Sequence, residues 1–554
     1  MSFFEKDKVK IGIADFIMKS CSRPSQFKIK DCFTTLILCF TATVLSGQSL
    51  NIKNDSFWST TDGTPIYSQG GGIFKFKDPK TNTEKYYWYG AFYKEAAAYR
   101  DNPAVTQETS TFESVTCYSS TDLVNWNTES PVLHIDDINA HYSNTKWMGR
   151  LGVAYIKALK KYAMFIQHDS EVLITLADSP TGPFRWHQRI NMKAMIGTSN
   201  TGDQTVFTDE DTGISYLVYS YGRGRNKIYV SEIGVKDGKV NLLDCTQVFK
   251  GAGREGNCMF KYQGRYYLYA SNLYGWDSSY AYYLVADDIR GPYLPENNML
   301  ITPGSMDDYA HITQTGFFVT LKGRDQDLVL YCGDRWADFA GNGLGYNQWF
   351  PMSFTGETPY FNSLSSWNLE GATGNWSVAK DNNYVKNGSF EADRRQIPSP
   401  VKPIQEQLKG WVTKIYQGNE IVVGSDASPS LNYFNTEADR AFVIGEKSLN
   451  ISDNVPFKRR IYQIIESTSF VPLESGRYKL SFKIKNTTGF KTLQVYAESG
   501  GKEKNLNVSK INTSWALVEI DDISVTNEKV EIGFKVEGDK TASCQIDDIT
   551  LVKQ

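Results

Sequence analysis

The feature that most constrains the fold of this chain is a short, aromatic-rich apolar segment that recurs five times, at intervals of roughly 50 to 75 residues. The five copies are residues 86–89, 162–165, 216–219, 266–269 and 328–331. Each follows a turn and another apolar strand, and residues 209–213 and 262–265 have the composition of hairpin turns. The repeat therefore predicts five β-hairpins.

The composition agrees with an all-β protein. The chain contains 33 Tyr, 30 Phe and 12 Trp, residue types that favour strands, and it has few long helical patterns. Residues 177–184 and 286–293 share a second sequence motif, which would form the end of a repeat unit. The prediction is a five-bladed β-propeller around a central channel, with one hairpin forming the inner strands of each blade. A large β-sandwich is the alternative.

The sequence pattern changes after Lys380, and this change predicts a second domain. Residues 478–484 and 530–536 alternate apolar and polar side chains with period two, as half-buried antiparallel strands do. The sequence thus predicts a propeller over residues 48–380 and a jelly-roll β-sandwich over residues 381–554.

The first 47 residues resemble a targeting segment. Basic residues such as Arg23 and Lys30 precede an apolar run at 32–45, and residues 44–46 fit a cleavage site. The run is short for a transmembrane anchor, which is the alternative. We expect translation to start at Met18 and the protein to be exported to the periplasm or the cell surface of a bacterium, with no membrane span in the mature chain.

The remaining composition excludes several classes of function. A net charge of −3 argues against a nucleic-acid partner, and five His argue against a His-rich metal centre. Five of the eight Cys follow the leader, without the spacing of a zinc site or a disulfide framework, so buried thiols are expected. No glycine-rich dinucleotide or phosphate loop follows a strand, so no catalytic cofactor is expected.

One polar residue lies at a similar distance ahead of each aromatic segment. In a propeller these positions meet at one mouth of the channel, and buried polar groups that converge there favour a functional site. The five residues are Gln69, Arg150, Asp203, Glu255 and Gln314.

Asp203 and Glu255 together suit glycoside hydrolysis, in which an acid protonates the departing oxygen. Burial of Glu255 near a second carboxylate would raise its pKa and keep it protonated. The alternative is that the two carboxylates merely form ion pairs with Arg150 and Arg254.

Several motifs add a family resemblance. Four stretches are similar to segments of glycoside hydrolase family 43, and the resemblance spans residues 60 to 370 or so. They are residues 203–213 (203–207 followed by 209–213), 254–260, 118–126 and 178–184. It implies a glycosidase with Glu255 as general acid and Asp203 as the residue that modulates its pKa. It also implies inversion, which needs roughly 6.5–9.5 Å between the acid and the group that activates water. A channel closed at one end would make the enzyme exo-acting.

This chain differs from most members of the family at several positions, and these differences indicate which branch of the family it resembles. Most members carry a general-base Asp at the first hairpin, where this chain has Gln69 and three Gly. That pattern is similar to the exo-β-1,3-galactanase branch and implies that Gln314 holds the attacking water. Gly149 and Ala91 stand where that branch has Glu, so galactofuranose or arabinofuranose ends are alternatives to galactose.

Other residues remain candidates around this core. Asp307, Asp308 or His311 would be the base if their loop folds inward, although a solvated acidic loop is the alternative. Substrate-binding candidates besides Gln69 and Arg150 are Trp276, Arg335 and Trp336, with ordinary packing as the alternative.

Residues 387–391 and 546–549 are similar to the two ends of carbohydrate-binding β-sandwiches like those of families 4, 16 and 22, so the C-terminal region resembles such a module. The resemblance implies a structural calcium held by Glu391 and Asp547, since calcium prefers oxygen ligands. Trp411 and Tyr433 are candidate sugar platforms, and a purely structural cap is the alternative. The sequence as a whole predicts a glycosidase acting on an oligo- or polysaccharide. A non-catalytic glycan-binding protein is the main alternative, and a transglycosylase or lyase is a third.

Overall fold

The computed structural model describes residues 50–105, 107–129, 131–141, 148–168, 171–199, 201–337, 342–393, 408–420 and 432–554. The predicted targeting segment lies outside these residues. Within the described ranges, no helix is both long and apolar enough to cross a membrane.

Strands dominate the structure, which confirms the all-β class. The first strand is β1 (Asn51–Lys53), and five antiparallel sheets then follow one another along the described chain. Sheet I holds β2 (Gln69–Lys77), β3 (Glu84–Tyr93), β4 (Phe112–Ser120), β5 (Asn127–Thr128) and β6 (Leu133–His134). Sheet II holds β7 (Leu151–Ile156), β8 (Lys161–His168), β9 (Glu171–Ala177) and β10 (Arg185–Ile190). Sheet III holds β11 (Thr201–Asp209), β12 (Ile214–Tyr221), β13 (Lys227–Lys236), β14 (Lys239–Leu242) and β15 (Thr246–Lys250). Sheet IV holds β16 (Glu255–Tyr262), β17 (Arg265–Ser271), β18 (Ala281–Ala286) and β19 (Leu300–Ile301). Sheet V holds β20 (Gln314–Lys322), β21 (Asp327–Ala337), β22 (Asn342–Thr355) and β23 (Thr358–Phe361).

The first strands of the five sheets form a closed ring, in which β2 contacts β7, β7 contacts β11, β11 contacts β16, β16 contacts β20, and β20 contacts β2. This is a β-propeller-like arrangement. Each predicted aromatic segment lies in the second strand of its sheet, directly outside the ring, so the predicted hairpins are confirmed.

The aromatic segments fill the spaces between neighbouring sheets. In β17, Leu268 packs into the core shared with sheet III, whereas Tyr267 and Tyr269 pack into the core shared with sheet V. Successive side chains of a strand point to opposite faces, so a strand covered on both faces must be apolar at nearly every position. This is the physical origin of the repeated apolar segments.

A small sheet joins the two ends of the ring. It consists of β1, β24 (Ser366–Glu370) and β25 (Asn375–Val378), and the sequence did not predict it. Trp367 of β24 is fully buried in the core between sheets I and V. Asn54 donates from Nδ2 to the carbonyls of Trp349 and Leu364, both at 2.7 Å, and so fixes β1 against sheet V.

Helices are short and lie in connections between strands. The described helices are α1 (Ala96–Asp101), α2 (Ile135–Asn139), α3 (Lys193–Ile196), α4 (Tyr309–Ile312) and α5 (Glu437–Arg440).

Two five-stranded antiparallel sheets make up the described C-terminal region. Sheet VI holds β26 (Val412–Gln417), β29 (Phe457–Glu466), β34 (Lys529–Gly538), β31 (Phe490–Ser499) and β32 (Lys502–Asn507). Sheet VII holds β27 (Asn432–Phe434), β28 (Lys447–Ser452), β35 (Ser543–Lys553), β30 (Gly476–Asn486) and β33 (Ala516–Val525). Both sheets bury side chains in one core, where Phe482 and Phe534 meet at 5.3 Å between ring centroids.

The core of this region corrects one prediction. Trp411 is only 2 % exposed and packs beside Phe390, so it cannot serve as a sugar platform. It is buried because its ring packs into the core of the two sheets, where its Nε1 donates to the carbonyl of Asn387 at 3.3 Å. The side chain of Tyr433, the other candidate platform, lies outside the described residues.

The C-terminal sheets dock against the loops of the propeller-like ring. Arg440 donates from Nε to the carbonyl of Ala104 at 3.0 Å, and Lys386 pairs with Asp307 at 2.8 Å. Lys409 also donates to the hydroxyl of Tyr280. These contacts bring one end of the second domain beside the mouth of the ring that carries the predicted polar residues.

The five cysteines in the described part of the chain are free thiols, and four of them are buried. This agrees with the expectation of scattered thiols.

Candidate functional site

The predicted polar residues lie at the same end of the ring, at or next to the start of its inner strands. Gln69, Glu255 and Gln314 each begin a strand, Arg150 immediately precedes β7, and Asp203 is the third residue of β11. A β-bulge follows the start of β2, β11, β16 and β20, where the pairing with the second strand shifts by one residue. Bulges redirect side chains locally, and here they let successive strands present polar groups inward.

Gly256 shows how tightly the backbone is packed at the bulge beside Glu255. Its φ is +60°, in the left-handed region, and a Cβ there would lie 2.5 Å from both the carbonyl oxygen and Oγ1 of Thr315. Only glycine fits this position without a shift of the neighbouring strand. The glycine also brings its amide within 2.8 Å of Asp203 Oδ2, to which it donates.

Glu255 is a buried carboxyl with one partner on each oxygen. Its Oε2 accepts from Arg225 Nη1 at 2.6 Å, and its Oε1 accepts from Gln314 Nε2 at 2.8 Å. Burial, and then the charge of Asp203, raise the pKa of Glu255 to about 8. At neutral pH this side chain therefore holds a proton.

Asp203 lies beside Glu255, but its pKa is lowered and its carboxylate is ionised. Burial alone would raise its pKa, but the charges of Arg225 and Arg150 and the amide of Gly256 hold the pKa of Asp203 below its ordinary value. Its Oδ1 is 2.9 Å from Arg225 Nη1, and its Oδ2 is 3.3 Å from Arg150 Nε. The pair thus contains one neutral and one ionised carboxyl, as acid catalysis requires.

Arg225 was not predicted, although the same guanidinium nitrogen contacts both carboxyls. It lies in the turn between β12 and β13 with a positive φ of 46°. Arg254, one of the two cations that the alternative ion-pair hypothesis names, instead donates to Asn272 and stacks on Tyr282 at 4.0 Å. That part of the alternative is wrong, because Arg254 points away from the ring axis into sheet IV.

Arg150 is the central cation of the site. It donates from Nη1 to Asp334 Oδ2 and from Nη2 to Gln314 Oε1, both at 2.7 Å, in addition to its contact with Asp203. Asp334 was also not predicted; it lies in β21, and burial raises its pKa. Its other oxygen accepts from Asn347 at 3.0 Å.

Gln314 is held by three partners. Its Oε1 accepts from Arg150 and from Trp336 Nε1, the latter at 2.9 Å, while its Nε2 donates to Glu255. The predicted separation of about 6.5–9.5 Å between the acid and a water-activating group is therefore wrong for Glu255 and Gln314 in this arrangement. The two side chains are in direct contact because adjacent sheets IV and V supply them.

The charge balance of the site explains the raised pKa of Glu255. Among the described side chains, three carboxyls (Asp203, Glu255 and Asp334) meet two guanidiniums (Arg150 and Arg225). Since a surplus buried charge is costly, one carboxyl takes up a proton. Asp203 contacts both guanidiniums, whereas Glu255 and Asp334 each contact one. Burial and the charge of Asp203 raise the pKa of Glu255 to about 8, so Glu255 is the group that protonates.

These side chains surround a cavity of about 340 Å³ that opens at the mouth of the ring. This volume falls within the range of small-molecule sites. The lining residues are Arg150, Gln167, Asp203, Arg225, Glu255, Gly275, Trp276, Gln314 and Trp336.

The two aromatic residues among the predicted substrate-binding candidates lie at this cavity. Trp276 and Trp336 meet edge to face at 5.1 Å between centroids, and the Arg150 guanidinium lies 5.6 Å from the Trp336 ring. Gln167, which was not predicted, also faces the cavity, and its buried Oε1 has no hydrogen-bond partner among the described residues. A sugar hydroxyl could satisfy this oxygen.

Two other predicted substrate-binding residues lie elsewhere. Gln69 begins β2 opposite Ala91 but does not line the cavity. Arg335 points away from the ring axis, because successive residues of β21 face opposite sides, and it pairs with Asp55 at 2.8 Å. It lines a second cavity, between the ring and the C-terminal domain.

The candidate bases in the acidic loop do not reach the cavity. Asp308 is buried beneath the loop and accepts from the amide of His311, while His311 Nε2 lies 3.0 Å from Asp55. Asp307 pairs with Lys386 of the C-terminal region. The loop therefore forms a separate charge cluster behind Gln314.

The predicted calcium ligands lie close together. Burial, and then the charges of Asp548 and Glu391, raise the pKa of Asp547 well above its ordinary value, and burial raises the pKa of Glu391 to about 7. The buried Oδ1 of Asn435 has no hydrogen-bond partner in the described structure, and Asn435 Nδ2 donates to Asp547 at 3.2 Å. Two carboxyls and an amide oxygen suit calcium. However, no group of three His, Cys, Asp or Glu side chains within the described ranges is arranged to hold a metal.

Comparison with known proteins places this geometry in context. The model of the family described as Glycosyl hydrolases family 43 matches residues 92–346. The structure of an exo-β-1,3-galactanase from Phanerochaete chrysosporium, with β-1,3-galactotriose, is 19 % identical, with a TM-score of 0.51 over 91 % of this chain and 100 % of that one. An exo-β-1,3-galactanase from Clostridium thermocellum is 20 % identical, with a TM-score of 0.51 over 85 % of this chain and 100 % of the other. At these identities the likeness concerns the fold.

A curated relative matches a much shorter stretch. A 1,6-α-glucosyltransferase of Sporosarcina globispora is 31 % identical over 94 residues, which is 17 % of this chain and 7 % of that enzyme. The chain therefore spans only a small part of that relative's length.

Proposed function

We propose that this chain is a glycosidase that releases terminal sugars from an oligo- or polysaccharide, because its residues 92–346 match the model of Glycosyl hydrolases family 43, whose members hydrolyse O-glycosyl bonds. One observation carries the proposal. A buried, protonated Glu255 lies beside an ionised Asp203 at the wall of a cavity of about 340 Å³. The same observation speaks against a non-catalytic glycan-binding protein, which would have no use for a buried surplus carboxyl.

Glu255 acts as the general acid in this proposal. It donates its proton to the glycosidic oxygen as the bond to the sugar breaks. Arg225, already 2.6 Å from Oε2, stabilises the carboxylate that forms. Asp203 keeps the proton on Glu255 until that moment, through its negative charge.

Gln314 positions the attacking water in this proposal. Its Oε1 already accepts two hydrogen bonds, so its amide form is favoured and its remaining N–H is available to orient a water. As the water adds to the sugar, the proton that it loses passes to solvent through the mouth of the cavity, and solvent later returns a proton to Glu255. Substrate must first part Gln314 from Glu255, since their side chains are in contact. The resulting gap would allow the inverting course that the family resemblance implies.

The proposed substrate is an oligosaccharide with a terminal galactosyl residue. Two solved structures that share the fold over most of this chain are exo-β-1,3-galactanases. Galactofuranosyl and arabinofuranosyl ends are kept as alternatives, because Gly149 and Ala91 replace two glutamates expected for that branch.

The test is sugar release from β-1,3-galactan, arabinogalactan, and nitrophenyl galactofuranoside and arabinofuranoside. We expect one sugar to be released from chain ends, with the anomer inverted as read by proton NMR immediately after mixing. Release of internal fragments would contradict the exo-acting proposal, and retention of the anomer would contradict the role of Gln314. Binding without release would favour the non-catalytic alternative.

We propose that the five sheets of the ring are the blades of a five-bladed propeller and that the two C-terminal sheets form a jelly-roll sandwich. We also propose export of the protein, on the composition of its first 47 residues.

We propose that Glu391 and Asp547, with Asn435, hold a structural calcium. Calcium would compensate the charge of Asp547, whose charged neighbours Asp548 and Glu391 are both acidic. A rise in the unfolding temperature on adding Ca²⁺ that EDTA reverses, and that Glu391→Gln removes, is the expected result. An unchanged temperature in the wild type would reject this site.

A further inference from the structure

A second cavity, of about 310 Å³, lies beside the catalytic cavity, and both domains line it. Trp276 and Trp336 line both cavities, so these two indoles form the boundary between them. On the far side, the C-terminal domain contributes residues 440–446, together with Glu391 and Lys483. The propeller-like domain contributes Phe57, Tyr99 and Arg335, among others.

Most charged side chains around this second cavity already have hydrogen-bond or ion-pair partners. Arg335 pairs with Asp55 at 2.8 Å, and Lys483 pairs with Asp548 at 2.9 Å. Arg440 donates to the backbone carbonyls of Ala104 and Asn435. A charged ligand would have to break these pairs, so the cavity suits an uncharged one.

The uncharged walls are aromatic and partly exposed. The side chain of Phe442 is 55 % exposed, and Ile444 beside it is 44 % exposed, although both line the cavity. With Trp276 and Trp336 opposite, apolar faces lie on both sides of the cavity. Aromatic faces pack well against the C–H faces of sugar rings, while the paired charges at the rim offer hydrogen bonds to hydroxyls.

The second cavity lies next to the cavity that holds Glu255, so a substrate could extend from one into the other. If the terminal sugar occupies the cavity beside Glu255, the rest of the substrate chain must leave past the tryptophans, where the second cavity begins. We propose that the second cavity is a binding site for the part of the saccharide chain beyond the scissile bond, and that the C-terminal domain builds it through residues 440–446. This inference rests on the proposed function.

The consequence is a dependence on substrate length. A disaccharide would fill the catalytic cavity and reach only the tryptophans, whereas the third sugar of a trisaccharide would contact Phe442. The C-terminal domain would then be part of the substrate site and would select for longer chains.

The experiment compares kcat/KM for β-1,3-galactobiose, galactotriose and galactotetraose in the full chain. We expect the wild-type value to rise from the disaccharide to the trisaccharide. Phe442→Ala should lower the trisaccharide value by about tenfold and leave the disaccharide value within about twofold, since one aromatic contact is lost. Because Phe442 is largely exposed, the substitution opens no buried core.

Tyr416→Ala is the matched control, since Tyr416 is an aromatic residue of the same domain that is 60 % exposed and does not line the cavity. It should leave all three values unchanged. Equal losses in the two variants, or a wild-type kcat/KM independent of length, would overturn the inference.

The outcome also separates this inference from the proposed function. If the wild type cleaves none of the galactosides, the same comparison is made with oligosaccharides of whichever sugar the substrate panel identifies. If nothing is cleaved, binding of the three galactosides to Glu255→Gln and to Glu255→Gln with Phe442→Ala is measured by calorimetry. Weaker trisaccharide binding in the double variant supports the inference, and equal or absent binding rejects it.

Discussion

Two charge clusters lie near the mouth of the ring, and they differ in the balance of their charges. In the catalytic cluster, three carboxyls meet two guanidiniums, and burial with the charge of Asp203 raises the pKa of Glu255 to about 8. In the loop cluster, Asp55 and Asp308 meet Arg335 and His311. There the acids are matched by cations.

The pKa values of the loop cluster follow from this pairing of acids with cations. Although burial opposes it, the charge of Asp55 raises the pKa of His311 to about 10, and the charge of His311 in turn holds the pKa values of Asp55 and Asp308 below their ordinary range. All four groups are therefore ionised at neutral pH. The comparison teaches that a matched cluster fixes structure, whereas a cluster with one surplus acid stores a proton that can be transferred.

The largest expected effect is that of Glu255→Gln on activity. We expect kcat/KM to fall by about 10³-fold, the contribution of a positioned general acid. Gln keeps the side chain neutral but offers only one acceptor oxygen, so the N–H of Arg225 or of Gln314 loses its partner, and we expect a loss of about 1–2 kcal/mol in denaturant titrations. A loss of about 4 kcal/mol or more would indicate that Glu255 is ionised and structural.

Arg150→Met removes one of the two cations of the catalytic cluster. This change leaves Asp203 and Asp334 with less compensation inside the protein, so we expect a loss of about 3 kcal/mol in the free energy of unfolding. Chemical denaturation measures it. Stability equal to that of the wild type would show that the carboxyls protonate freely and that the charge balance does not matter.

Asp203→Asn should alter the pH dependence of activity. The negative charge of Asp203 raises the pKa of Glu255, so its removal lowers that pKa and moves the alkaline fall of kcat/KM from about pH 8 to lower pH. At neutral pH we expect a loss of about 10- to 100-fold. A profile of lower activity but unchanged shape would contradict the modulating role.

The sequence predicted those parts of the site that the repeat encodes. Glu255, Asp203, Gln314 and Arg150 were found because each lies at the start of an inner strand, at a spacing that the aromatic segments reveal. Arg225 was missed because it comes from a turn with positive φ, whose conformation the repeat does not encode.

Three further features depend on contacts between distant parts of the chain. Asp334 follows the apolar segment 328–331 within β21, and only the ring closure brings it to Arg150. The pairing of β1 with β24 joins two short strands more than 300 residues apart. The docking of the C-terminal domain on the mouth of the ring left no local signal in the sequence.

His311→Asn tests the matched cluster. Asn tolerates the left-handed backbone at this position, where φ is 59°, and removes the charge. The raised pKa of His311 means that its contribution to stability is complete below about pH 6.5 and is lost as the pH rises through about 10. We expect a destabilisation of about 2 kcal/mol at pH 6 that shrinks towards pH 10. A difference independent of pH would show that packing, not charge, is lost.

The smallest effect belongs to Asp307→Asn. Asp307 and Lys386 are both partly exposed, so their ion pair should contribute less than about 0.5 kcal/mol. Activity should be unchanged, because Asp307 does not line the catalytic cavity. A large loss of kcat would return Asp307 to the list of candidate bases.

The most direct test of the account is the response of Glu255→Gln to the leaving group. Two substrates carrying the same terminal sugar are compared, one with a second sugar and one with dinitrophenol, which departs without a proton. If Glu255 is the general acid, the variant loses about 10³-fold on the disaccharide but less than about tenfold on the dinitrophenyl glycoside. Equal losses on both substrates would contradict proton donation by Glu255 and with it the central claim.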